Sequence, residues 1–278
     1  MIDELSGLSA ILPDYDAIVC DVWGVVHNGI APHAAAGEAL TKARAAGVAV
    51  VLVTNAPRPS PSVIEQLLQI GAPESAYDQV VSSGDVTRQA IIDGGFATLH
   101  HIGPKHDLVL FDDLAATLTE TPADADAIVC TDLRTNDGVP EDYRAELSAL
   151  VPLQKPFLCG NPDIVVERGG DIVYCGGSLA KVYEDAGGSA RQFGKPHAPI
   201  YEMALKTLGH PKRVLAIGDG LPTDITGANA QGFDVLFITG GIHEADLGAH
   251  GAPDRQKVAD RLAAEGLTAR AYMPRLTW

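Results

Sequence analysis

The chain has 278 residues, 46% of them apolar and 20% charged, enough to bury a sizeable core as one large α/β domain or as a core with an inserted second unit. Thirty-six acidic against 20 basic residues give a formal charge of -16, a field that repels nucleic acid and anionic lipid, and no basic cluster offsets it. Residues 1–13 carry no basic stretch ahead of an apolar one, and no run of about 18 apolar residues occurs, so neither a signal peptide nor a membrane span is expected.

The four cysteines, Cys20, Cys130, Cys159 and Cys175, fall in no CxxC-like spacing, and three of them end apolar runs. Buried thiols in a reducing cytoplasm are the expectation. The negative field also repels a small phosphorylated ligand at long range, so any phosphate site needs its own metal or lysine.

In chain order, the apolar run 17–20 ends at Asp21 and gives way to the glycine-punctuated stretch 24–29, a strand followed by a loop. An alanine-rich helix over 34–46 is closed by Gly47. Residues 48–53 are apolar throughout, as a parallel strand covered on both faces requires, and this run ends at Thr54-Asn55. Ser60-Pro61 opens a helix that Gly71 closes.

From about 82 to 189 the rhythm changes. Strands are expected at 98–102, 127–130 and 156–159, with a hairpin of 164–167 and 171–175 turning about Gly169-Gly170, which together read as a smaller α/β unit. The first rhythm then returns with a helix over 199–208, a strand over 213–217 ending at Gly218-Asp219, a helix over 223–231 and a strand over 235–238. A charged helix over 255–265 and a short strand over 269–273 finish the chain. The expectation is a Rossmann-like parallel-sheet core of residues 1–81 and 190–278, interrupted by an inserted domain of residues 82–189.

Four signals occur in a fixed order: Asp21, Thr54-Asn55, Lys195 within Gly194-Lys195-Pro196, and Gly218-Asp219-Gly220-Leu221-Pro222-Thr223-Asp224. Singly, each reads as turn, capping or surface-loop chemistry. Three of them end apolar strands, and parallel strands of one sheet bring such ends to a common rim. There the carboxylates of Asp21, Asp219 and Asp224 can hold Mg²⁺, and Thr54 and Lys195 can hold phosphate oxygens. Residues 188–195 have one residue too many for a P-loop, and Pro196 stands where Ser or Thr is required. His100, His101, His243 and His250 show no metal-ligand spacing.

This ordered set resembles the haloacid dehalogenase superfamily, in its NagD-like subclass IIA, whose α/β cap lies between the second and third motifs. Asn161-Pro162-Asp163 and Gly194-Lys195-Pro196-His197 fit the same subclass. The resemblance implies a hydrolase acting on a small phosphorylated metabolite, with Asp21 attacking phosphorus to form an aspartyl-phosphate. It further implies Mg²⁺ held by Asp21, the main-chain carbonyl of Trp23 and Asp219, with Asp224 supporting the metal. Thr54 and Asn55 would contact the phosphoryl group, Lys195 would offset its charge, and the cap would set specificity and often pair into a homodimer.

One departure stands out. Phosphatases of this superfamily carry a second Asp two residues after the nucleophile, where it protonates the leaving group. Here that residue is Trp23, whose indole offers no titrating proton. The loss predicts faster turnover of aryl or acyl phosphates than of alkyl ones, with His27 the nearest titratable replacement and Trp23 itself a candidate stacking surface for substrate. Two alternatives stay open: C-halogen or C-P cleavage, and a phosphate-binding regulatory protein with weak or no turnover. Asn161 and Asp163 are read as loop caps or as specificity contacts.

Overall fold

In the computed structural model, which describes residues 2–168 and 171–278, the chain divides into two compact units. Met1–Thr54, Ile64–Val81 and Tyr201–Trp278 form the first, and Asn55–Val63 and Ser82–Ile200 form the second. The first unit begins with strands β1 (Asp3–Glu4), β2 (Ala17–Asp21), β3 (Ala49–Thr54) and β4 (Gln79–Ser82). The second contributes β5 (Thr98–Ile102), β6 (Thr117–Leu118), β7 (Ala127–Cys130), β8 (Phe157–Cys159), β9 (Val165–Arg168), β10 (Asp171–Tyr174) and β11 (Ala190–Gln192). The chain returns to the first unit with β12 (Val214–Gly218), β13 (Asp234–Ile238), the short pair β14 (Gly248–Ala249) and β15 (Ala252–Pro253), and β16 (Ala271–Met273).

The first unit is built on a seven-stranded sheet in the order β1-β16-β13-β12-β2-β3-β4. Its central pairings, β2 with β3 and β12, and β12 with β13, are parallel. Every residue of β2 and β12 is buried, which is why both read as unbroken apolar runs. Register fixes the rim: Asp21 lies opposite Val53 and Cys20 opposite Ile217, so Thr54, the last residue of β3, and Asp219, the first after β12, flank Asp21. Leu221, Ile225, Val235, Phe237 and Tyr272 belong to one buried cluster of this unit.

The second unit has its own parallel sheet, in the order β11-β8-β7-β5-β6. Phe157 of β8 stacks on Tyr183 at 4.3 Å between ring centroids, in a cluster with Ile102, Ile128 and Leu179. Strands β9 and β10 pair antiparallel as the expected hairpin, whose Gly169-Gly170 turn lies outside the described residues. The helix Ser83–Gly94 starts on a capping box: Ser82 Oγ accepts from Asp85 N at 3.0 Å and Asp85 Oδ2 accepts from Ser82 N at 2.9 Å.

The chain is thus an α/β protein with a parallel core sheet, as its sequence rhythm implies. All four cysteines are buried thiols, and burial pushes that of Cys159 up to about 12. No helix among the described residues is long and apolar enough to cross a membrane.

Candidate active site

The first unit gathers its functional side chains by ending parallel strands on polar residues. Asp21 closes β2, Thr54 closes β3, Asp219 follows β12, and Asp224 sits in the wide π-helical turn Leu221–Ile225. All four are buried, at 6, 7, 6 and 8% exposure respectively. Asp21, Asp219 and Asp224 each place one carboxylate oxygen within 4.8 Å of the others. Three carboxylates buried that closely repel one another unless a cation joins them. A donor set made only of hard oxygens suits a divalent ion such as Mg²⁺ or Ca²⁺ rather than a thiolate-seeking metal.

Main-chain N–H groups orient this cluster. Ile242 N donates to Asp219 Oδ2 at 2.9 Å, and Gly220 N donates to Asp224 Oδ2 at 3.0 Å. Leu221 N donates to His243 Nε2 at 3.3 Å, which ties the acidic loop to a residue 22 positions on. Gly24 has φ +87, and a Cβ there would lie 2.8 Å from Asp219 Cγ, so the loop after β2 reaches the carboxylate only because residue 24 lacks a side chain.

Trp23 is half-buried on that same loop. Its ring rests on Gly29, where φ is +84 and a Cβ would meet ring carbons at 2.5 Å, and stands edge-on to His27 at 5.0 Å. His27 is buried and its Nδ1 accepts from Gly29 N at 2.9 Å. Burial, helped by neighbouring His33, brings its pKa down to about 4, so near neutrality it is an uncharged structural hydrogen-bonder.

In the second unit, Asn55 and Lys195 are both buried, at 4% exposure each. Asn55 Oδ1 accepts from Lys195 N at 2.7 Å, while Nδ2 donates to Lys195 O at 3.1 Å and to Asp163 Oδ1 at 2.8 Å. Both amide hydrogens are therefore engaged by Lys195 and Asp163, and the Asn55 side chain clamps the main chain of Lys195. Asn161 Oδ1 accepts from Asp163 N at 3.2 Å, the loop-capping role, and its Nδ2 reaches Asp132 Oδ2 at 3.4 Å.

His100, His101 and His250 have partners of their own: His100 Nδ1 meets Thr119 O at 3.0 Å, His101 Nε2 meets Thr131 Oγ1 at 2.8 Å, and His250 Nδ1 pairs with Glu244 at 2.8 Å. Among the described residues the aspartate trio is the metal-capable group. Sequence reasoning missed Gly24, Ile242 and His243 as supports of the trio. The only local sign was the glycine spacing in residues 24–29.

Comparison with known proteins is consistent across the chain. Residues 18–113 match the family model described as haloacid dehalogenase-like hydrolase, and residues 192–264 match the one described as HAD-hydrolase-like. The crystal structure of a hydrolase of the haloacid dehalogenase-like family from Brucella suis is 43% identical, with a TM-score of 0.87 over 98% of this chain and 100% of that one. The ribonucleotide monophosphatase NagD of Escherichia coli is 24% identical over 240 residues, covering 82% of this chain and 89% of its own length. Glycerol phosphate phosphatase from Mycobacterium tuberculosis, solved in complex with magnesium, superposes with a TM-score of 0.68 at 24% identity, over 86% of this chain and 72% of that one.

Proposed function

Since the chain belongs to the haloacid dehalogenase-like hydrolase family, in its NagD-like branch, we propose that it is a Mg²⁺-dependent phosphatase of small phosphorylated metabolites with Asp21 as nucleophile. The observation that carries this reading is the trio of buried carboxylates at strand tips, with oxygens within 4.8 Å, beside a threonine ending the next strand. Asp21, Asp219, Asp224 and the carbonyl of Trp23 would hold Mg²⁺. The chemistry the ion supplies when bound is orientation of the phosphoryl group and neutralisation of its charge.

The chain's own residues do the rest. A carboxylate oxygen of Asp21 bonds to phosphorus as the bond to the leaving oxygen breaks, and the electron pair departs with that oxygen, leaving an acyl phosphate on Asp21. Water then attacks the phosphorus, which frees Asp21 and releases inorganic phosphate. Thr54 donates to the phosphoryl oxygens and Lys195 balances their charge, with Asn55 as the positioning residue for Lys195.

Trp23 supplies no proton to the departing oxygen, and His27, unprotonated above pH of about 4, does not replace it. Leaving groups stable as anions are therefore favoured. Retention of the carboxylate trio favours phosphoryl transfer over C-halogen cleavage, which needs no metal. A cytoplasmic site fits the four buried thiols.

The test is Mg²⁺-dependent hydrolysis of p-nitrophenyl phosphate and of glycerol 3-phosphate by wild type and by Asp21→Asn. Turnover of the aryl ester at least about 10²-fold faster than the alkyl ester, abolished in the variant, is expected. Equal rates on both esters would refute the missing-acid argument, and no turnover of either would leave a phosphate-binding protein.

A further inference from the structure

Besides the carboxylate trio, the first unit contains a cavity of about 320 Å³, within the size range of small-molecule sites. Val25, Pro32, Ile238 and Leu276 give it apolar walls, and Arg275 and His33 are its polar lining. Gly24 also lines it, and the Gly24 backbone lies against Asp219, so the cavity shares a wall with the acidic cluster without containing any of its carboxylates.

The two polar groups are under-used within the fold. Arg275 approaches Glu244 at only 3.7 Å, and that carboxylate already binds His250 Nδ1 at 2.8 Å and Gly251 N at 3.0 Å. His33 Nε2 is buried and has no hydrogen-bond partner among the described residues, so the imidazole is held in the wall as a polar ring that no neighbour engages at that atom. His33 also precedes the helix Ala34–Ala45, whose first turn receives no side-chain cap, which adds a modest preference for negative charge.

Charge and shape together select the ligand. Burial and the nearby Arg275 hold the His33 pKa below its usual range, so the imidazole is neutral and the cavity offers one full positive charge. A phosphate dianion would exceed that single charge, with the Glu244 carboxylate close to the same arginine. A carboxylate matches the planar guanidinium fork and leaves an apolar body to fill the remainder.

We propose that this cavity is a binding site for a small organic monoanion, its carboxylate on the Arg275 guanidinium beside the His33 ring and its apolar body against Val25, Pro32, Ile238 and Leu276. The site is separate from the catalytic cluster and does not rest on the phosphatase reading.

Isothermal titration with benzoate as the probe, without metal or substrate, tests it. Saturable one-site binding is expected in wild type and undiminished in Asp21→Asn. Arg275→Ala should weaken it at least tenfold, as should Ala35→Phe, which fills the cavity while leaving the arginine in place. Thermal melts establish that both variants fold. The absence of saturable binding to wild type overturns the proposal. So does unchanged affinity in both folded variants, and so does displacement of benzoate by inorganic phosphate, which would put the probe in the catalytic centre.

Discussion

Replacing Gly24 by alanine isolates what the loop after β2 contributes to the acidic cluster. Two costs are separable. A residue with a side chain at φ +87 carries about 1–2 kcal/mol of left-handed strain. The added Cβ would also lie 2.8 Å from Asp219 Cγ and 2.9 Å from Oδ1, where carbon contacts settle at about 3.5–4.0 Å. The carboxylate must retreat by roughly 1 Å, which strains the 2.9 Å bond from Ile242 N and draws an oxygen out of the trio.

Gly47 provides the control, because its φ is +88 and a Cβ there meets nothing within 4 Å. Gly47→Ala should lower Tm by about 2–4 °C per kcal/mol of strain and leave Mg²⁺ affinity untouched. Gly24→Ala should add at least about a 10-fold loss of Mg²⁺ affinity, since even disturbing groups behind a metal ligand commonly costs that much. Calorimetric Mg²⁺ titration of the two variants, beside thermal melts, reads both effects. Wild-type Mg²⁺ affinity in a folded Gly24→Ala protein would refute the reasoning.

Trp23→Asp should restore a protonating group and raise the ratio of alkyl to aryl phosphate turnover by about 10²-fold or more, at some cost in stability from the lost packing on Gly29 and His27; an unchanged ratio would remove Trp23 from the account. Asn55→Ala leaves Lys195 N, Lys195 O and Asp163 Oδ1 without their amide partner, so urea denaturation should show a loss of about 2–4 kcal/mol and kcat should fall more than KM rises. His27 and His101 both have pKa values lowered to about 4 by burial. The unfolded chain takes up these protons first, so stability is full above about pH 6.5 and drains as pH falls toward 4, by up to about 3 kcal/mol per histidine. Urea melts at pH 7.5 and 5.0 should register the loss, and His101→Gln should flatten it.

The parts of this molecule legible in its sequence are those where a local signal and the tertiary outcome coincide. Strands β2, β3 and β12 are buried on both faces, so they appear as apolar runs, and their terminal Asp21, Thr54 and Asp219 mark where each run meets the rim. The edge strand β1 is two exposed acidic residues and β4 only four residues long, neither with a periodicity to detect. Ser82 and Asp85 form a full capping box, but residue 82 lies where the sequence rhythm changes and no strong apolar period follows to single it out. The partners of Asn55 are 108 and 140 positions away, a separation at which no pattern in residues 54–55 announces that the amide is already committed. His33 and Arg275 likewise meet only through the fold.

The chain passes from the first unit to the second between Thr54 and Asn55, returns after Val63, leaves again after Val81 and comes back after Ile200. A domain exchange that transplanted only residues 82–189 would move Asp163 into a foreign host while leaving Asn55 and Lys195 behind. The three-way amide junction would be split between two ancestries, and the grafted protein would have to rebuild the part-buried contact between Asn55 and Asp163. An exchange of the second unit therefore has to carry the short 55–63 crossing and the 190–200 return along with its sheet.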